Sequence, residues 1–166
     1  GTHFRTALIR FGADSEPHVE YRTTHAMPGA EGELSKEEFF DRIVDYLQPV
    51  IGRSDRLAFC FSYPAIIGRD RDGALLYWTK EIRAPQVVGE KILANLGSAL
   101  HRRGLPCPAH GLILNDTVAA LLAGCAAAGF APDTVYVGFI LGTGTNTAYV
   151  EWNPAIRKEP DLPGSG

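Results

Sequence analysis

The sequence predicts an α/β fold, in which short strands alternate with helices along the chain. Three observations support this prediction. Short runs rich in β-branched and aromatic residues recur between longer segments whose apolar residues return at helical spacing. With 45% hydrophobic and 21% charged residues among 166, the chain can form one apolar core. Polar residues cluster where the predicted strands end, which is where open α/β sheets bind their ligands.

Each predicted element rests on a local pattern. Ser35 and Glu38 fit a capping box ahead of an amphipathic helix, and Gly52 ends that helix. Pro85 opens a second helix at the position that favours proline, and Gly104 ends it. The predicted elements, in chain order, are strands over 4–11 and 18–24, a helix over 36–50, strands over 57–62 and 74–78 with a tight turn at 69–73, the helix from 85, a strand over 111–114, a helix over 117–128, and a hairpin formed by 135–141 and 147–152.

The predicted helices differ in how much of their surface is apolar. In the second helix, apolar residues recur at Val88, Ile92, Leu96 and Ala99, so one stripe is expected to face the core. The third helix, over 117–128, is apolar all round and is therefore expected to be fully buried.

Composition excludes several classes of protein. The net charge of -3 lacks the excess of positive charge that is typical of proteins that bind a nucleic acid or an anionic membrane. No apolar run reaches the roughly 20 residues of a membrane-spanning helix. The cysteines, Cys60, Cys107 and Cys125, are odd in number and widely spaced, so we expect no disulfide framework and a cytoplasmic location.

The chain starts at Gly1 without methionine and ends in a loop-like segment, 160–166, so we expect it to be part of a longer protein.

The segment Gly142-Thr143-Gly144-Thr145-Asn146 lies between two predicted strands. Its glycines allow positive φ and close approach of a ligand, and successive N–H groups in such a bend can form an anion nest for phosphate. The alternative is an ordinary hairpin turn, in which glycine and asparagine are equally expected. Gly1-Thr2, directly before the first strand, could be the end of a similar bend, with a cloning remnant as the alternative.

Asn115-Asp116-Thr117 stands between a predicted apolar strand and a predicted apolar helix. A carboxylate at this place is half-buried, which makes Asp116 a candidate general base. The alternative is helix capping, because Asp or Asn before a helix satisfies N–H groups that would otherwise have no partner.

Two other predicted strand ends carry polar side chains. In Trp78-Thr79-Lys80, the lysine could stabilise a phosphate or a developing negative charge, and the alternative is a solvent-exposed lysine. In Phe61-Ser62-Tyr63-Pro64, rigid neighbours would hold the serine as a hydrogen-bond donor, and the alternative is a simple strand terminus. No cysteines and histidines have the spacing of a zinc site, and no metal ligands are predicted.

In their order along the chain, these motifs resemble the hexokinase family. The resemblance covers residues 1–151 and departs from the family at His3, where an asparagine is usual. It implies a ribonuclease H-like, actin-like ATPase fold with a mixed five-stranded sheet and flanking helices. It also implies a small domain over 1–133, the opening hairpin of the large domain over 134–152, and a tail or linker over 153–166.

The resemblance implies ATP-dependent phosphorylation of a hexose, with glucose as the expected sugar, at its 6-hydroxyl, with Mg²⁺. Asp116 would be the base and Lys80 a second catalytic residue. The implied sugar ligands are Ser62, Tyr63, Thr79, Lys80, Asn115, Asp116 and Asn146. The implied nucleotide-binding residues are Gly142, Thr143 and Gly144, with Gly1 and Thr2 as the remnant of the second phosphate bend.

Two alternatives to an active hexokinase remain open. One is a hexokinase-like domain that senses sugar or regulates without turnover. The other is a different phosphotransferase or a filament-forming member of the actin-like superfamily, which the Trp78-Thr79-Lys80 segment disfavours. If the enzyme interpretation holds, the 166-residue chain is an incomplete part and is expected to be inactive alone.

Overall fold

The computed structural model describes residues 3–13, 16–129, 131, 134–142 and 144–157. Within these ranges strands and helices alternate, which confirms the α/β prediction. The strands are β1 (His3–Phe11), β2 (Pro17–Ala26), β3 (Arg56–Cys60), β4 (Ala65–Ile67), β5 (Gly73–Leu75), β6 (His110–Leu114), β7 (Val137–Leu141) and β8 (Thr145–Tyr149). The α-helices are α1 (Lys36–Leu47), α2 (Ile92–Arg102) and α3 (Asp116–Ala127), and short 3-10 helices lie at Pro85–Val87 and Asn153–Ala155.

The chain divides into two compact units, Gly1–Leu114 and Asn115–Gly166. The first unit contains β1 to β6 with α1 and α2, and the second contains α3 with β7 and β8. One apolar cluster fills the first unit. Its largest fully buried members are Phe39, Phe40, Ile43, Val44, Leu75, Val87, Ile92, Leu96 and Leu100. The assignment of 1–133, 134–152 and 153–166 to parts of a hexokinase stays a prediction.

The strands pair two by two. β1 and β2 are antiparallel, β3 and β6 are parallel, and β4–β5 and β7–β8 are hairpins. Among the described residues the strands therefore form four two-stranded sheets rather than one continuous five-stranded sheet. β1 and β3 contact each other through side chains, since the rings of Phe4 and Phe59 lie 5.8 Å apart, edge to face.

α1 begins where the sequence predicts it and ends earlier. The Ser35 hydroxyl accepts a hydrogen bond from the N–H of Glu38, and the Glu38 carboxylate accepts one from the N–H of Ser35, so the capping box is confirmed. The helix ends at Leu47 rather than at residue 50, because Pro49 has no N–H to continue the ladder. Gly52 follows with a φ of +83°.

The region predicted as one helix from Pro85 is two separate pieces. Pro85–Val87 forms a single 3-10 turn, Gly89 takes a φ of +84°, and α2 begins only at Ile92. Because positive φ is incompatible with a right-handed helix, Val88 lies outside α2 and is 43% exposed, contrary to the predicted stripe. The other predicted members of the stripe are buried, namely Ile92, Leu96 and Ala99.

The β4–β5 hairpin was predicted only in part. β4 was not expected, and β5 covers residues 73–75 rather than 74–78. The chain leaves β5 after Leu75, because the residues that follow fold into a loop closed by Trp78. β3 likewise ends at Cys60, two residues before the predicted end of that strand.

α3 is not buried all round, so that prediction is wrong. Thr117, Leu121 and Cys125 form one buried row at a spacing of four residues, whereas Leu122 is 41% exposed. The β7–β8 hairpin packs closely on this row, since a Cβ on Gly138 would lie 2.7 Å from the carbonyl oxygen of Thr117. The described part of the second unit covers no more of the helix than this face. Across the described residues, every helix is too short or too polar to cross a membrane.

Candidate functional site

Two of the predicted sugar-binding segments contact each other in the first unit. Residues 62–64 follow β3, and residues 78–80 follow β5. The rings of Tyr63 and Trp78 lie 4.8 Å apart at an interplanar angle of 85°. This edge-to-face contact, a geometry that aromatic pairs favour, holds the two segments side by side.

The polar side chains beside this aromatic pair are available to a ligand. Ser62, Thr79 and Lys80 are exposed, and their side chains have no hydrogen-bond partner among the residues that the structure describes. Tyr63 is only 5% exposed, and this burial raises the pKa of its phenol, which therefore stays protonated. The exposed hydroxyl and amino groups therefore lie next to a packed pair of aromatic rings and can donate or accept hydrogen bonds.

The loop that carries Thr79 and Lys80 is closed on itself. The indole N–H of Trp78 donates a hydrogen bond to the carbonyl oxygen of Ala84 at 2.9 Å. The N–H of Ile82 donates to the carbonyl oxygen of Lys80 at 2.6 Å. Ile82 and Ala84 are buried, so the loop is anchored in the core.

In the second unit, Asn115 and Asp116 lie at the N-terminus of α3. Asn115 is the N-cap, and its Oδ1 accepts a hydrogen bond from the N–H of Thr117 at 3.0 Å. Asp116 Oδ1 accepts from the same N–H at 2.8 Å and from the Thr117 hydroxyl at 3.2 Å. Asp116 Oδ2 has no partner within the described ranges. Capping therefore occupies Asn115 and one oxygen of Asp116, and the role of Asp116 as base stays a prediction.

The structure also brings Asn146 to this helix end. Asn146, the second residue of β8, donates from Nδ2 to Oδ1 of Asn115 at 3.4 Å. Its own Oδ1 accepts a hydrogen bond from the N–H of Thr147 at 3.0 Å. Two predicted sugar ligands that are far apart in the sequence are thus neighbours in the second unit.

The glycine bend between β7 and β8 differs from its expected conformation. Neither Gly142 nor Gly144 has a positive φ, and the N–H of Gly142 donates across the bend to the carbonyl oxygen of Gly144 at 2.9 Å. Closing the hairpin thus uses one donor that an anion nest would need. The Gly144 side is open, since an added Cβ would meet no atom within 4 Å. Thr143, Gly1 and Thr2, the other predicted phosphate ligands, lie outside the described residues.

The described residues offer few ligands for the Mg²⁺ that the family resemblance implies. They contain no group of three His, Cys, Asp or Glu side chains that could hold a metal ion. Mg²⁺ typically keeps several waters and is bound through substrate phosphates with one or two carboxylates. Oδ2 of Asp116 is one carboxylate oxygen that has no partner within the described ranges.

One buried polar residue of the first unit was not predicted. Asp72 lies in the turn between β4 and β5 and is 7% exposed. Its carboxylate accepts hydrogen bonds from the backbone N–H groups of Gly73, Leu93 and Ala94. No local sequence signal could have identified this role, because Leu93 is 21 residues further along the chain.

Comparison with known proteins gives consistent matches. A family model described as hexokinase matches residues 1–126. Hexokinase-5 of Oryza sativa subsp. japonica is 35% identical over 179 aligned positions, which cover 100% of this chain and 34% of that protein. Hexokinase-1 of Arabidopsis thaliana is 34% identical over 184 positions, which cover 100% of this chain and 35% of that protein.

Solved structures agree with these relatives. The hexokinase from Schistosoma mansoni complexed with glucose matches with a TM-score of 0.77 and 27% identity, covering 98% of this chain and 37% of that one. Another hexokinase crystal structure shares the fold, with a TM-score of 0.72 at 24% identity over 92% of this chain and 37% of that one. The chain spans about a third of the length of the curated relatives it matches.

Proposed function

Because the chain belongs to the hexokinase family and has its actin-like ATPase fold, we propose that the complete protein transfers a phosphoryl group from ATP to the 6-hydroxyl of a hexose. Glucose is the proposed sugar, since a similar structure is that of a hexokinase complexed with glucose. The observation that carries the proposal is the contact of Tyr63 with Trp78, which places the segments that carry Ser62, Thr79 and Lys80 side by side.

Sugar recognition would rest on hydrogen bonds, because a hexose carries no charge with which to form an ion pair. A neutral hexose offers only hydroxyl groups and a ring oxygen, so its ligands must be hydroxyl, amide, amino and carboxylate groups. Among the predicted ligands, Ser62 and Thr79 carry hydroxyls, and Asn115 and Asn146 carry amides. A sugar lacking a matching hydroxyl would leave one of these groups unpaired, which is how such a site discriminates between sugars.

Proton transfer would fall to Asp116. Its Oδ1 accepts hydrogen bonds from the N–H and hydroxyl of Thr117, which fixes the carboxylate. Oδ2 would then accept the proton of the sugar 6-hydroxyl as the hydroxyl oxygen attacks the phosphorus. Lys80 would offset negative charge that develops during the transfer. ATP would supply the phosphoryl group, with Mg²⁺ neutralising its charge, and the bend of Gly142, Thr143 and Gly144 would hold the phosphates, together with Gly1 and Thr2.

The test is an Asp116→Asn variant of the complete protein, assayed with ATP and glucose, fructose or mannose. We expect kcat to fall by about 10²–10⁴-fold, the range typical for removal of a positioned base. Asp55→Asn is the matched control, because Asp55 is 69% exposed and should leave kcat unchanged. Near-normal turnover of Asp116→Asn would overturn the proposed base.

The same assay distinguishes an active hexokinase from a domain that senses sugar without turnover. A wild-type protein that binds glucose at equilibrium but consumes no ATP would identify the alternative, a sugar-sensing domain without turnover. The engagement of the Gly142 N–H within the bend is the observation that favours this alternative. We further propose that the 166-residue chain by itself is inactive and that the protein is cytoplasmic, in keeping with cysteines at 60, 107 and 125 that form no disulfide.

A further inference from the structure

The β4–β5 hairpin carries the sugar segments of the first unit at its open end. The N–H of Leu76, directly after β5, donates to the carbonyl oxygen of Pro64, directly before β4, at 2.9 Å. Ser62 lies two positions before this closing bond, and Thr79 lies three positions after it. The orientation of the hairpin therefore determines the backbone positions of Ser62 and Thr79.

The other end of the hairpin is fastened to α2 by Asp72. Its Oδ1 accepts from the N–H of Leu93 at 2.8 Å, and its Oδ2 accepts from the N–H of Ala94 at 3.0 Å. These are the donors that an N-cap side chain normally satisfies, yet the α2 N-cap position, Lys91, makes no such bond. A buried carboxylate is also favoured at the positive end of a helix dipole. Asp72 thus caps a helix to which it is not adjacent in sequence.

Two further contacts fix the same turn. Lys91 donates from Nζ to the carboxylate of Asp70. Arg71 takes a φ of +64°, the left-handed conformation that costs energy in a residue with a Cβ. Its carbonyl oxygen accepts a hydrogen bond from the N–H of Ile113 at 2.9 Å. Ile113 belongs to β6, the strand that runs into Asn115.

We infer that Asp72 is a positioning residue for the hexose site: by joining the β4–β5 turn to the N-terminus of α2, it holds the hairpin whose open end carries Ser62 and the Thr79–Lys80 loop. The inference rests on the proposed function. Without the carboxylate, the N–H groups of Leu93 and Ala94 lose their partner, and the turn is held by fewer contacts, among them those of Asp70 and Arg71. Binding a sugar must then also order the hairpin, which weakens binding of the sugar rather than of the nucleotide.

The experiment compares Asp72→Ala and Asp72→Asn in the complete protein. For Asp72→Ala we expect the KM for glucose to rise about tenfold, the factor equivalent to one charge-assisted hydrogen bond. The KM for ATP is expected to stay unchanged. Asp72→Asn keeps one carbonyl acceptor and the side-chain volume, so it is expected to fall between wild type and Asp72→Ala. If Asp72→Ala does not fold, the Asn variant carries the test.

Two controls separate positioning from general stability. Leu100→Ala opens a cavity at the far end of α2, where Leu100 is 1% exposed, and should lower the melting temperature without changing the KM for glucose. Arg71→Gly keeps the carbonyl that bonds Ile113 and adopts positive φ without strain, so it should also leave that KM unchanged.

Each outcome decides the matter. A selective rise in the KM for glucose in the Asp72 variants alone supports the inference. Unchanged KM values in the Asp72 variants overturn it while leaving the proposed function intact, and so does an equal rise in Leu100→Ala. A wild-type protein that phosphorylates no hexose overturns the proposed function, and the inference falls with it.

Discussion

The two units bury their apolar residues to very different extents. In the first unit, Phe40 on α1 is 2% exposed and sits in a cluster that spans helices and strands. In the second unit, Phe139 and Leu141 on β7 are 58% and 75% exposed, although these residues are just as apolar. The difference shows that apolar character alone does not determine burial, because a neighbouring element must be present to cover the residue.

The helices of the two units show the same contrast. α1 has a polar face and an apolar face, and its predicted apolar residues are the ones that are buried. α3 has almost no polar face, and only the row of Thr117, Leu121 and Cys125 is covered by the β7–β8 hairpin. An amphipathic pattern thus identifies the buried face of a helix, whereas a uniformly apolar pattern does not.

The largest expected effect comes from removing equivalent rings in the two units. Phe40→Ala should lower the free energy of unfolding of the chain by about 3–5 kcal/mol, because it leaves a cavity in a packed core. Phe139→Ala, at an exposed position, should cost less than about 1 kcal/mol. Urea denaturation of both variants measures the difference. Equal losses would mean that Phe139 is covered in solution, and the contrast between the units would not stand.

The next largest change in stability is expected from substituting two glycines of the second unit. Gly138→Ala places a Cβ 2.7 Å from the carbonyl oxygen of Thr117 and 2.8 Å from Cβ of Leu121, so it should destabilise the helix–hairpin packing by about 1–3 kcal/mol. Gly124→Ala, inside α3 with no atom within 4 Å of the new Cβ, should instead stabilise the helix by about 0.5–1 kcal/mol. Amide hydrogen exchange over residues 116–149 measures both. Protection unchanged in Gly138→Ala would contradict the close packing.

Loss of a helix cap should differ between the units as well. Ser35→Ala removes the acceptor for the N–H of Glu38 and should cost about 1 kcal/mol in thermal or urea unfolding. Asn115→Ala should cost less, because Asp116 Oδ1 still accepts from the N–H of Thr117 at 2.8 Å. The reverse ranking would show that Asp116 does not share the capping of α3.

The smallest expected effect is a pH dependence in α1. Hydrogen bonds from the hydroxyl and N–H of Ser35 hold the pKa of Glu38 below its ordinary value of 4.5. The lowered pKa stabilises the folded chain fully above pH 4.5, and this contribution is lost as the pH falls through the folded value. Glu38→Gln should therefore flatten the fall in melting temperature at acid pH. A profile identical to that of wild type would contradict the capping box as its source.

Much of the first unit was predictable because its signals are local. The capping box of Ser35 and Glu38 and the stripe at Ile92, Leu96 and Ala99 depend only on residues within a few turns of each other. The split of the second helix was missed, because a glycine at positive φ does not show in a pattern of apolar residues. The motif order predicted the family, which the match over residues 1–126 confirms.

By itself, the sequence determined the class of fold, most strands and helices, and the family, because each depends on local pattern or motif order. The tertiary structure alone decided which faces of α3 are covered, that Tyr63 meets Trp78, and that Asp72 caps α2. These are contacts between residues distant along the chain. Whether such residues meet depends on how the intervening elements pack, and neither residue carries a local signal of its partner.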